Sequence, residues 1–144
     1  PFWIAYPRDH PLYLQETITR QDLDELDLLL LSEGHCLAQQ VMELCHVSQR
    51  ANSGEMADLR ASSLETLMQL VGAGFGSTLV PALAMRGSWA SGSGVVTREL
   101  DFDEAHRRVS LFHRKSFPRI AALQALIAVI MDNLPNTVQP LYRV

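Results

Sequence analysis

The sequence predicts an α/β fold with largely parallel strand pairing. Short apolar runs alternate along the chain with segments of helical periodicity, the arrangement that builds strand–helix–strand units. DLLLLSEG, residues Asp27 to Gly34, sets four consecutive leucines between turn signals, as a strand covered on both faces requires. Leu37, Val41, Leu44 and Cys45 follow the i, i+4, i+7, i+8 spacing of an amphipathic helix.

The other elements follow in chain order. PFWIAY (Pro1 to Tyr6) reads as a short buried strand closed by Pro7. TITRQDLDEL (Thr17 to Leu26) reads as a short helix with Leu23 and Leu26 turned inward. Ser48 to Asp58 is a polar Ser/Asn/Gly loop. LRASS (Leu59 to Ser63) is a short strand running into a helix, with Ser62 or Ser63 as N-cap and Glu65 or Thr66 in the first turn. Leu64, Leu67, Met68 and Val71 keep helical spacing until Gly72 and Gly74 stop it. GSTLVPALAM (Gly76 to Met85) reads as strand, a break at Pro81 and a helical turn. RGSWASGSG is a loop; Val95 to Leu100 and Arg107 to Arg114 are two further strands. The longest helix spans roughly 118–133, with Pro118 near its first turn and Pro135 past its end. The glycines of GAGFGST follow a helix and precede a strand, the reverse of a dinucleotide-binding loop.

A chain of 144 residues, 47% hydrophobic and 19% charged, has the composition of one globular domain. The net charge of -4 argues against a general nucleic-acid surface. The most apolar segment, Ile120 to Met131, is shorter than the about 18 residues a membrane-spanning helix needs, and no signal-peptide pattern is present. The chain opens on Pro1, already inside a strand, and reads as a piece of a longer protein. Two cysteines are too few for a secreted disulfide scaffold, so a cytoplasmic protein with reduced thiols is expected.

Those two cysteines frame the amphipathic helix. They lie nine positions apart. At about 100° and 1.5 Å per residue, their side chains leave opposite faces about 13 Å apart along the axis. A disulfide needs Cα atoms within about 7 Å, so a Cys36–Cys45 bond cannot form while the helix is intact. Three readings are open. Both cysteines can be small buried hydrophobes. His35-Cys36 and Cys45-His46 can be metal ligands, although zinc pairs normally sit two to four residues apart in a turn. Or they form a thiol switch. Cys36 lies at a helix N-terminus, which favours a thiolate, and His35 is adjacent. A thiolate oxidised to sulfenic acid condenses with a second thiol if one arrives. Cys45 arrives only if the helix melts, which couples the chemistry to conformation, as a sensor requires.

GHCLAQQVMELC (Gly34 to Cys45) resembles the redox segment of the hydrogen-peroxide-sensing members of the LysR-type transcriptional regulators. RASSLETLMQLVGAGFGSTLVPALA (Arg60 to Ala84), DHPLY near the start and RRVSLFHR near the end fall in step with the same family, so the resemblance covers most of the chain. It implies that Cys36 is the peroxidatic cysteine and Cys45 the resolving one. His35 is then the neighbouring histidine that helps position peroxide, and Gly34 supplies backbone at the same pocket. Arg108 matches the arginine that stabilises the thiolate, a role its permanent charge suits. Read from the residues alone, Arg108 is a solvated charge at a strand end. One departure is Asp58, where the family often carries a histidine two residues before Arg60.

The resemblance further implies a regulatory domain like the periplasmic binding proteins, with two Rossmann-like α/β subdomains. Residues 1–105 would form the second subdomain and 106–144 a strand and helix returning to the first. The winged helix-turn-helix and the first part of the regulatory domain would lie outside this sequence. The partners implied are hydrogen peroxide, a second copy in a dimer or tetramer, a thiol reductant for resetting, and DNA and RNA polymerase through the full-length protein. No cofactor, metal or membrane is expected. Two other functions are weighed. The same fold can bind a small organic anion at the helix start near Ser62 and Ser63. A thiol peroxidase ranks low, because the Pro-Thr-Cys context of peroxiredoxins is missing.

Overall fold

The computed structural model describes residues 1–46, 60–86 and 94–141. It divides into two compact units, Pro1–His106 and Arg107–Val144. The loop expected at 48–58, with Asp58 itself, and residues 87–93 of the loop expected at 86–94 lie outside the described residues.

In the first unit, β1 (Phe2–Pro7) is almost wholly buried and lies at the centre of a three-stranded sheet. On one side it pairs with β4 (Thr78–Pro81), Ile4 facing Leu79. On the other it pairs with β5 (Val95–Glu99), Ile4 facing Arg98. Both pairings are antiparallel, which corrects the expectation of largely parallel pairing. A strand buried on both faces shows the same continuous apolar run whichever way its neighbours point, so its composition carries no direction. Among the described residues, parallel pairing is confined to β2 (Leu30–Leu31) with β3 (Arg60–Ala61), and to a bridge between Leu28 and Ser77.

That bridge joins the leucine run to the start of β4. Leu29 N–H donates to Ser77 O at 2.8 Å and Ser77 N–H to Asp27 O at 2.9 Å. The buried Thr78 hydroxyl donates to Leu29 O at 2.9 Å. Gly76 makes the close approach possible. Its φ is +151°, and a Cβ there would stand 2.5 Å from Asp27 O. The last glycine of GAGFGST is therefore a packing glycine.

Leu29, Leu30 and Leu31 are buried, and two helices that follow in the chain, α2 (Cys36–Leu44) and α3 (Leu64–Gly72), pack on this strand. α2 turns in Leu37, Ala38, Val41 and Leu44; α3 turns in Leu67, Met68 and Val71. Side chains of this size contribute about 1.5–3 kcal/mol each when fully buried. Ser63 is the N-cap of α3, accepting from Thr66 N–H at 3.1 Å. Gly74, at φ +84°, lies just past the end of α3.

α1 (Arg20–Asp24) begins in a capping box. Thr19 N–H donates to the Asp22 carboxylate at 2.7 Å, and Asp22 N–H donates back to the Thr19 hydroxyl. Leu23 and Leu26 are buried as expected. Arg98 of β5 ties the preceding segment down, its guanidinium donating to the carbonyls of Leu12, Gln15 and Glu16.

In the second unit, α4 (Ile120–Asp132) starts two residues after Pro118 and buries none of its side chains. Ile120, Leu126, Val129 and Ile130 are exposed. Arg107 to Arg114, expected as a strand, joins no ladder among the described residues, and Val109, Leu111 and Phe112 are exposed. The sequence has strand-like alternation there, but a ladder needs a second backbone to accept its hydrogen bonds.

Two outcomes test this account. Gly76→Ala combines positive-φ strain with a backbone clash, so it lowers stability by roughly 2–4 kcal/mol in a urea titration. For Asp22, hydrogen bonds from the Thr19 hydroxyl and then the Thr19 backbone hold the carboxyl below its ordinary 3.8. Stability from the box is thus complete above pH 3.8 and is lost as pH falls through the lower folded-state value. Asp22→Asn destabilises by about 0.5–1 kcal/mol at neutral pH, the range of an exposed cap, and thermal melts of variant and wild type converge in acid.

Candidate functional site: the cysteine helix

The site is built on α2 and the turn before it. The chain leaves β2 through Ser32, and His35 N–H donates back to Ser32 O at 3.3 Å. This closes a tight turn whose third residue is Gly34, at φ +96°. A turn with positive φ at that position selects glycine. His35 follows as the N-cap of α2 with extended backbone, and its side chain makes no capping hydrogen bond. Cys36 is the first helical residue and is exposed. An exposed thiol here meets the positive end of the helix dipole.

The other end of α2 differs in every respect. Cys45 is the C-cap; its N–H donates to Val41 O at 3.0 Å and its side chain is fully buried. Neither cysteine is in a disulfide. Nine consecutive helical residues, Cys36–Leu44, hold the two thiols apart by about 13 Å along the axis, so the bond excluded on helical geometry stays excluded in this conformation.

Gly34, His35 and Cys36 are therefore brought together on one turn, while Cys45 sits across the helix in the core of the same unit. Arg108 is exposed and belongs to the second unit. Among the described residues, no group of three or more His, Cys, Asp or Glu side chains is placed to hold a metal ion. His46, paired with Cys45 in the metal reading, instead presents its ring to Arg20. Ser63 uses its hydroxyl as the cap of α3, which takes up the Thr66 N–H at that helix start.

Sequence reasoning missed Arg20. Its Nη1 lies 2.8 Å from His46 Nε2 and 3.5 Å from Leu44 O; its Nη2 lies 3.3 Å from a Glu104 carboxylate oxygen. Its guanidinium also stands over the Phe102 ring, 5.5 Å from the centroid. One signal was available: a cation in the first turn of a helix opposes the dipole, which suggests that something outside that helix holds it.

The chain belongs to the LysR substrate binding domain family, which it matches over residues 1–135. It is similar to the DNA-binding transcriptional dual regulator OxyR of Escherichia coli, 36% identical over 130 residues, 90% of this chain and 41% of that protein. It is also similar to a reduced form of OxyR from N. meningitidis, with TM-score 0.77 and 27% identity over 96% of this chain and 62% of that one. A hydrogen-peroxide-bound cysteine-to-serine mutant of Corynebacterium glutamicum OxyR is 40% identical, with TM-score 0.59 over 69% of this chain and 31% of that one. This chain thus spans about two-fifths of the length of the curated relatives it matches.

The two thiols differ enough in access for a direct check. Under native conditions iodoacetamide modifies Cys36 readily, while Cys45 reacts at least about 100-fold more slowly and catches up only in denaturant. Peptide mass spectrometry reads both rates.

Proposed function

We propose that this chain is the peroxide-sensing part of a LysR-type transcriptional regulator, switched by a disulfide between Cys36 and Cys45. The observation that carries this reading is the placement of one exposed thiol and one buried thiol at opposite ends of a single intact helix. The peroxide-bound relative supports the choice of oxidant.

The chemistry runs in two steps. The Cys36 thiolate attacks one peroxide oxygen; the O–O bond breaks and hydroxide leaves, giving a Cys36 sulfenic acid. The Cys45 thiol then displaces that hydroxyl as water, and the Cys36–Cys45 bond forms. Cys45 travels to do this, so α2 unwinds and the two-electron oxidation becomes a change of shape. The family resemblance gives His35 and Gly34 the place where peroxide meets Cys36, and gives Arg108 the role of stabilising the thiolate and the departing hydroxide. A cellular thiol system reverses the bond by exchange.

In the complete protein, residues 1–105 act as the second regulatory subdomain. Residues 106–144 return to the first, which would cover the apolar surface of α4. The shape change passes through a dimer or tetramer to a DNA-binding domain and RNA polymerase, in the cytoplasm. The relatives are transcriptional regulators, and no helix among the described residues is long and apolar enough to cross a membrane. The protein acts by stoichiometric oxidation rather than as a turnover enzyme, and it needs no cofactor.

The test is a peroxide titration of the full-length protein followed by peptide mass spectrometry and circular dichroism. Near-stoichiometric peroxide links Cys36 to Cys45 with loss of two hydrogens and part of the helix signal. Cys36→Ser abolishes the response, and Cys45→Ser stops it at the sulfenic acid. If both variants respond like wild type, the reading is wrong.

A further inference from the structure

Arg20 occupies the first position of α1, yet its guanidinium works elsewhere. On one side it meets the last turn of α2, through the Leu44 carbonyl and the His46 ring. On the other it meets the segment after β5, through Glu104 and the face of Phe102. Cys45 lies between Leu44, the last residue of α2, and His46, the two residues that Arg20 grips.

The details suit a clasp. Leu44 O belongs to the last turn, where helix carbonyls lack intrahelical partners and a cation is favoured. A guanidinium has no lone pair, so His46 Nε2 is the acceptor in the 2.8 Å contact. His46 has φ +51°, the left-handed conformation that glycine usually supplies just past a helix end. A histidine there carries strain of about 1–2 kcal/mol, and its ring contact helps keep it in place. The Glu104 carboxyl is held below its ordinary value, first by its own backbone N–H and then by Arg20.

We propose that Arg20 is a positioning residue for the second oxidation step, a latch that sets how fast Cys45 leaves the core to reach an oxidised Cys36. This rests on the peroxide-switch reading above. Cys45 cannot swing out until the turn Leu44–His46 opens, and that turn opens only when the guanidinium releases it. Arg20 does not touch Cys36, so the first step, attack on peroxide, is outside its influence. The reaction is unchanged: sulfenic acid and thiol give disulfide and water.

The experiment uses the full-length protein, hydrogen peroxide as oxidant and dimedone to trap the sulfenic acid. Rapid quenching resolves sulfenic acid formation from disulfide formation. In Arg20→Ala, disulfide formation accelerates roughly three- to tenfold, the scale of a partly exposed charge-assisted contact. Arg20→Lys accelerates it as well, because an ammonium cannot serve Glu104 and the α2 turn together in one planar fork. Sulfenic acid formation keeps its wild-type rate in both, a selectivity that general destabilisation would not produce. Wild-type rates of disulfide formation in a folded Arg20→Ala protein overturn the latch alone. Should Arg20→Ala not fold, an unchanged rate in Arg20→Lys overturns it equally. Equal acceleration of both steps also overturns it. If wild type forms no Cys36–Cys45 bond, the switch reading itself fails.

Discussion

The packing of the α2 stripe against the leucine strand governs the rest of this molecule. Leu37, Val41 and Leu44 reach the core only if residues 36–44 are helical, and Cys45 is carried into the core at their end. The same helix places Cys36 in solvent at its other end. One apolar contact surface therefore decides two chemical facts: which thiol meets an oxidant, and how far the other stands from it. The turn at Gly34 and the grip of Arg20 act at the two ends of that surface.

The first unit supports α2 from beneath. Backbone hydrogen bonds at Leu29 and Ser77, made possible by the bare Cα of Gly76, lock the leucine run to β4. β4 is in turn paired to β1, and β1 to β5. A disturbance that melts α2 thus leaves a paired sheet behind it. Local opening of a helix against an intact sheet is how low-stability segments serve as switches.

Much of this was legible in the residues. The α2 stripe, the cap and glycine stop of α3, and the burial of Leu23 and Leu26 follow from local spacing and cap chemistry. The family likeness followed from the cysteine segment together with Arg60 to Ala84. Strand direction was not legible, because β1 is buried on both faces and reads alike in either direction. The ladder expected for Arg107 to Arg114 also failed, since alternation marks a face but supplies no partner. Arg20 was hidden for a third reason. Its partners are 24 to 84 positions away, and no local pattern joins an arginine in one helix to the carbonyl of another.

The burial of Cys45 has a thermodynamic consequence for the proposed switch. A disulfide made at the expense of a packed helix is weaker than one closed in a ready-made geometry, because the lost packing is subtracted from its stability. For a two-electron couple, each ~1.4 kcal/mol subtracted raises the reduction potential by about 30 mV. In the proposed switch, the apolar stripe of α2 would therefore act as a potentiometer. Every methylene that Leu37, Val41 and Leu44 lose from the core moves the bond toward the potentials at which ordinary cellular thiols reduce it. A sensor built this way returns to its resting state once the oxidant is gone, and the core sets the threshold.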